Sequence, residues 1–118
     1  MQNAKELSLT SCLLSDRLDN AIAIKCAQKL AEQIYEFPGE TLAGKVDDYC
    51  TMIPGRYLEA SNGISRRLGF LSHYLQERGF NGVIGVYQDL AGEDYLDWEP
   101  LVNEEKVCPN VKVFSRLE

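Results

Sequence analysis

Apolar residues recur with a helical period through the first two-thirds of the chain. Between Asp19 and Glu36 they fall on one side of a helical wheel and polar residues on the other, which predicts an amphipathic helix. Ser15 and Asp16 precede this helix as candidate N-cap residues. Pro38 ends it, because proline disfavours helical backbone at the residue before it. The stretch up to Leu14 is weakly patterned and fits either a short strand or an extra helical turn.

Two further helices follow in the same region of the chain. The segment Thr41–Met52 has apolar residues at i, i+4, i+7 and i+11, and Pro54-Gly55 ends it. The segment Ser61–Arg78 carries a similar apolar stripe. Gly79 stands where a left-handed residue commonly closes a helix. The pattern therefore predicts three helices before residue 81.

After Phe80 the hydrophobic period changes from that of a helix to that of a strand. Val83–Gln88, Tyr95–Glu99 and Val111–Phe114 read as short strands. The intervening loop, Asp89–Glu93, has the length of a hairpin connection, so the first two strands should be antiparallel. We expect an α+β fold in which three N-terminal helices pack on a small C-terminal antiparallel sheet of about three strands.

Length and composition narrow the class of protein. The chain has 118 residues, which suits one domain over 1–118, with helices in residues 1–80 and a sheet in residues 81–118. No apolar run approaches the ~18 residues of a spanning helix and the start has no secretory h-region, so we expect a cytoplasmic location and no membrane partner. The formal net charge of −6 disfavours direct binding of nucleic acid, which takes a basic surface.

The negative charge is concentrated near the C-terminus. The formal charge is −1 over residues 1–37, zero over residues 38–80 and −5 over residues 81–118. The acids of the segment 89–105, which contains no lysine or arginine, are Asp89, Glu93, Asp94, Asp97, Glu99, Glu104 and Glu105. This acidic segment is the most distinctive feature of the sequence.

Three interpretations of the acidic segment remain open. It could be a solvated hairpin end that keeps the protein soluble. It could bind a divalent cation, although the calcium-loop pattern fails because Leu90–Gly92 leaves its third and fifth positions wrong. It could recognise a basic partner protein, with Tyr95, Asp97 and Glu99 along the exposed face of a strand, where the acids steer association and the aromatic ring anchors it.

The third helix offers a second candidate surface. Opposite its core stripe lie Arg66, Phe70, His73 and Glu77. Either the helix is packed between the sheet and the first helix and buries two faces, or Arg66, Phe70 and Tyr74 form an interaction hot spot, for which arginine and aromatic residues are favoured. A phosphate or RNA site at Arg66 and Arg67 is a third option, which the net charge disfavours.

The residues that usually carry chemistry form no recognisable motif. Cys12, Cys26, Cys50 and Cys108 include no CxxC pair, and without a secretory signal we expect thiols rather than a disulfide framework. His73 is the only histidine, and no pattern places a cysteine beside it as a nucleophile–base pair would require. Phosphate-binding glycine loops, nucleophile elbows and metal-binding helix motifs are absent from the sequence. We therefore assign no catalytic residue, metal ligand or cofactor.

The sequence favours a non-enzymatic interaction module, meaning an acidic regulator, inhibitor or immunity-type protein that engages a basic partner surface. The expected contact residues are Asp89, Glu93, Asp94, Tyr95, Asp97 and Glu99, joined by Arg66, Phe70 and Tyr74. The alternatives are a small enzyme with a dispersed site built from Cys50 or Cys108, His73 and an arginine, and a divalent-cation-binding protein that uses residues 89–105. Self-association as a homodimer through an edge strand such as Val111–Phe114 is a further option.

Overall fold

Helices precede a β-hairpin along the chain, which confirms the α+β class. The structure is a computed structural model that describes residues 9–15, 19–58 and 63–101. Residues 9–13 are helical, and the elements that follow are α1 (Asn20–Tyr35), α2 (Leu42–Met52), the 3-10 helix η1 (Gly55–Leu58), α3 (Ile64–Gln76), β1 (Gly82–Gln88) and β2 (Asp94–Pro100). The two strands pair antiparallel, as the loop length predicted. The expected third strand, Val111–Phe114, lies outside the described residues.

The helix ends follow from local capping. Asp19, rather than the expected Ser15, caps α1, because its carboxylate accepts a 3.0 Å hydrogen bond from the backbone N–H of Ile22. Asp16, the other expected N-cap, lies outside the described residues. Thr41 caps α2 in the same way. Gly79 follows α3 with φ of +104°, the left-handed conformation that the sequence predicted there. No helix in the described ranges is long and apolar enough to cross a membrane.

Helix α3 occupies the centre of the fold. It packs on α1 along one side and on β1 along another. Consequently it buries Phe70, which is only 6% exposed, in addition to its expected core stripe. The side chains that share this core are Ala23, Ala27, Leu30 and Ile34 of α1, Leu68, Leu71 and Leu75 of α3, and Ile84, Val86 and Leu96 of the hairpin. The interpretation of α3 as a helix with two buried faces is therefore correct.

Helix α3 also closes the outer edge of β1. Asn81 accepts a hydrogen bond from Leu101 across the hairpin, so the next residue, Gly82, directs its backbone groups away from β2, and so does Ile84. Side chains of α3 bond both: Ser72 Oγ accepts from the N–H of Ile84, and Gln76 Nε2 donates to the carbonyl of Gly82, each over 2.9 Å. The helix thus takes the position that a further strand would occupy on this side.

The outer edge of β2 is protected from pairing with another strand by its own residues and by η1. The outward N–H of Trp98 donates to the carboxylate of Asp97 over 2.8 Å, and Pro100 has no N–H to donate. Gly55 of η1 lies so close to the carbonyl oxygen of Asp94 that a Cβ atom at that position would overlap it. Local charges, proline and a covering element are the usual means of protecting a sheet edge.

The bond between Ser72 and the β1 edge predicts a specific loss of stability. We expect Ser72→Ala to lower the free energy of unfolding by about 1–3 kcal/mol, because it leaves the N–H of Ile84 buried without a partner. Ser65→Ala on the same helix is the matched control, with an expected change within about 0.5 kcal/mol. Urea denaturation of both variants checks this, and equal effects would contradict the proposed role of Ser72.

The contact between η1 and β2 predicts that any side chain at position 55 destabilises the fold. Gly55→Ala should destabilise the protein by about 1–3 kcal/mol, because its Cβ would press on the backbone of Asp94 and force the two elements apart. Gly79→Ala has open space around the new methyl group, so its cost should be limited to the left-handed backbone and stay near about 1 kcal/mol. Thermal and urea unfolding measure the stability of both variants. A larger loss of stability in Gly79→Ala than in Gly55→Ala would contradict the close contact at position 55.

Candidate functional site

The hairpin turn, Asp89–Glu93, is held by backbone N–H groups that donate to the carboxylate and the carbonyl of Asp89. Oδ1 of Asp89 accepts from the backbone N–H groups of Ala91 and Glu93, both at 2.9 Å. The carbonyl of Asp89 also accepts from the N–H of Gly92 at 2.9 Å, and Gly92 has a φ of +84°, which glycine adopts without strain. The turn therefore presents its other side chains from a fixed backbone, while Oδ1 of the exposed Asp89 carboxylate accepts the bonds within the turn.

Leu90 lies at the tip of this turn and is 95% exposed. The other exposed large apolar residues of the described chain, Ile22 and Tyr35, are 45% and 47% exposed. Sequence reasoning missed Leu90 as a site residue. A signal was present, because the position after the aspartate of such a turn usually holds proline or a polar residue rather than leucine.

The residues predicted along the exposed face of β2 are less exposed to solvent than expected. Tyr95, Asp97 and Glu99 are each partly buried, not on a fully exposed face. Tyr95 places its ring 5.9 Å from the ring of the buried Tyr87, and Asp97 bonds the N–H of Trp98. Of the predicted acids, Asp89 and Glu93 are exposed and Asp94 is partly buried. Glu104 and Glu105 lie outside the described residues.

A cleft of about 440 Å³ lies between η1 and the hairpin turn. It is lined by Gly55, Arg56, Gly92, Glu93 and Asp94. The close approach of Gly55 to the carbonyl of Asp94 brings the two walls together. Arg56 belongs to one wall, and Glu93 and Asp94 belong to the other. Within residues 19–58 and 63–101 none of these three charged side chains forms an ion pair.

The residues predicted on the third helix do not assemble into a surface patch. The expectation that Phe70 is available for binding was wrong, because α3 is covered on two sides and the ring lies in the core. Tyr74 is partly buried and its ring lies 5.1 Å from that of His73. Arg66 is exposed, whereas its neighbour Arg67 is buried, so these two arginines do not form a surface phosphate site.

Two cysteines correct the expectation of four separate thiols. Cys12 and Cys26 form a disulfide that joins the helical residues 9–13 to α1. Their Cα atoms are 6.6 Å apart, within the range that a disulfide spans. Sequence spacing could not reveal this pairing, because it depends on how the N-terminal residues fold back on α1.

The described residues do not support a nucleophile at Cys50. Burial, assisted by the carboxylates of Asp97 and Asp47, raises the pKa of the Cys50 thiol far above its ordinary value. The Nε2 atom of His73 lies 3.4 Å from the carboxylate of Glu77, the residue that caps the C-terminus of α3. Among the described residues no group of three histidine, cysteine or acidic side chains is arranged to hold a metal ion. Cys108, the other candidate thiol, lies outside them.

Comparison with known proteins found no match to a protein-family model, a curated protein or a solved structure. The hairpin turn and the adjoining cleft are therefore interpreted from their geometry and charge.

The buried thiol predicts a chemical reactivity and a pH dependence. In a Cys108→Ser background, Cys50 should react with iodoacetamide at least about a hundredfold more slowly than in denaturant, because only rare opening of the domain exposes it. The native state keeps the thiol proton at a pH where the unfolded chain releases it. The protonated Cys50 thiol therefore contributes fully to the free energy of unfolding below the ordinary thiol pKa of about 8.5. This contribution declines as the pH rises above that value.

Mass spectrometry of the alkylated chain and urea denaturation between about pH 7 and pH 10 measure these effects. The decline above about pH 8.5 should be smaller in Cys50→Ala, which removes the titrating group. A thiol at position 50 that reacts at the denatured rate under native conditions would contradict its burial.

Proposed function

We propose that this protein is an acidic binding module that engages the basic surface of another protein through its hairpin turn. One observation carries the proposal: a turn with a fixed backbone holds Leu90 almost fully exposed, beside the exposed acids Asp89 and Glu93. A fixed turn loses little conformational entropy on binding. An apolar side chain near acids suits a partner site with an apolar centre and a cationic rim.

Charge complementarity gives such a module its partner preference. Acids at the tip of a hairpin attract a cationic surface during encounter, and dissolved salt screens this attraction. Tyr95, Asp97 and Glu99 flank the turn along β2 and contribute at the edge of the proposed contact. Phe70 is removed from the contact, while Arg66 and Tyr74 remain peripheral candidates because they keep some exposure.

A regulator, inhibitor or immunity-type protein is the functional class that we propose. Such proteins work by occupying the basic working surface of a partner, without direct contact to nucleic acid or membrane. The cytoplasmic location and homodimerisation through an edge strand stay predictions. The protection of both hairpin edges in the described residues favours a partner at the turn over strand pairing between copies.

The test begins with affinity capture from native cell extract at low and high salt, which isolates a partner that salt releases. Glu93→Lys should then weaken binding of the isolated partner by about tenfold at low salt, mainly through slower association. Glu40→Lys reverses an exposed acid outside the turn and is the matched control, with an expected change below about twofold. Surface plasmon resonance measures both.

Thermal unfolding should show that both variants are as stable as the parent chain, since both positions are exposed. Equal binding by Glu93→Lys and the parent, or equal loss in the two variants, would contradict recognition through the hairpin turn.

A further inference from the structure

The cleft beneath the hairpin turn has opposite charges on its two walls. Arg56 extends from η1, and Glu93 and Asp94 extend from the end of the turn and the start of β2. Among the described residues these three form no ion pair, and the Arg56 guanidinium lies 5.9 Å from the centre of the Tyr57 ring.

The size of the cleft is compatible with a small ligand. Its volume of about 440 Å³ falls within the ordinary range of small-molecule sites, and the cleft is open to solvent on one side. Two of its five lining residues, Gly55 and Gly92, have no side chain, which leaves backbone surface accessible between the charged walls. The two walls meet where Gly55 approaches the carbonyl of Asp94.

We propose that this cleft binds a basic amino-acid residue that has a free carboxylate. The ligand's carboxylate binds the Arg56 guanidinium, whose planar donors suit two parallel hydrogen bonds to a carboxylate. Its cationic side chain binds Glu93 and Asp94 across the cleft. A lone cation is a poorer ligand, because it would face Arg56 without compensation.

The same chemistry has two sources, a free basic amino acid and the carboxyl-terminal basic residue of a protein. The cleft shares Glu93 with the surface proposed for partner binding, but its occupancy does not require that function. Failure of the small-ligand test leaves the effect of Glu93→Lys on partner binding unchanged, so the two proposals fail separately.

Nuclear magnetic resonance titration of the full chain, labelled with ¹⁵N, tests the proposal with three probes. N-acetyl-arginine carries a guanidinium and a carboxylate, and N-acetyl-arginine amide carries the guanidinium alone. We expect N-acetyl-arginine to shift the amide signals of Gly55 and Gly92 and to bind about two- to fivefold more tightly than the amide, the gain from one exposed ion pair. Free arginine is the third probe, and tighter binding than N-acetyl-arginine identifies a free amino acid, whereas weaker binding identifies a chain terminus.

Three substitutions at exposed positions complete the test. Arg56→Gln should abolish the preference for N-acetyl-arginine over its amide. Glu93→Gln should weaken both probes by about two- to fivefold and keep the preference. Lys25→Gln, which removes an exposed cation of α1 that does not line the cleft, should change neither.

Several results would overturn the proposal. Equal binding of the two acetylated probes by the parent chain would show that Arg56 receives no carboxylate. Arg56→Gln could bind N-acetyl-arginine amide more tightly than the parent does and still prefer N-acetyl-arginine over the amide. That result would show that Arg56 only repels cations. Absence of shifts at Gly55 and Gly92 with any probe at tens of millimolar would show that the cleft takes no such ligand.

Discussion

The rest of the fold depends on the way helix α3 meets the outer edge of β1. Ser72 and Gln76 are buried polar residues, and each finds its partner on the strand backbone. A buried backbone group without a hydrogen-bond partner lowers the stability of the fold by about 1–3 kcal/mol. These two bonds therefore fix both the position of the helix along the strand and its rotation. That rotation directs Phe70 into the core and leaves Arg66 outside.

The hairpin that α3 supports is also the element that carries the candidate site. Its turn is fixed by Asp89, and its β2 side is fixed by the contact of Gly55 with the Asp94 carbonyl. The same contact brings together the two walls of the cleft, to which Arg56 and the acids belong. A surface built in this way is organised before binding, so little of the binding free energy is lost in ordering it.

Local patterns predicted the elements well and their surroundings less well. The amphipathic patterns predicted α1, α2 and α3 correctly, because a helix that packs on a core must bury one side. The same wheel placed Phe70 on an outer face, because a single helix shows no sign of a second element that covers it. Likewise, the strand alternation separated Leu96 from Asp97 correctly but could not show that Asp97 would be partly buried and bonded to the N–H of Trp98.

The sequence by itself determined the order of helices and hairpin, the turn at residues 89–93 and the concentration of acids beside it, since each depends on neighbours within a few residues. Only the tertiary structure decided which acids stay exposed, that Cys12 pairs with Cys26, and that Arg56 faces Glu93 across a cleft. The paired cysteines are 14 positions apart, and Arg56 and Glu93 are further apart still. Their proximity comes from packing of whole elements, which a periodic pattern along the chain does not encode.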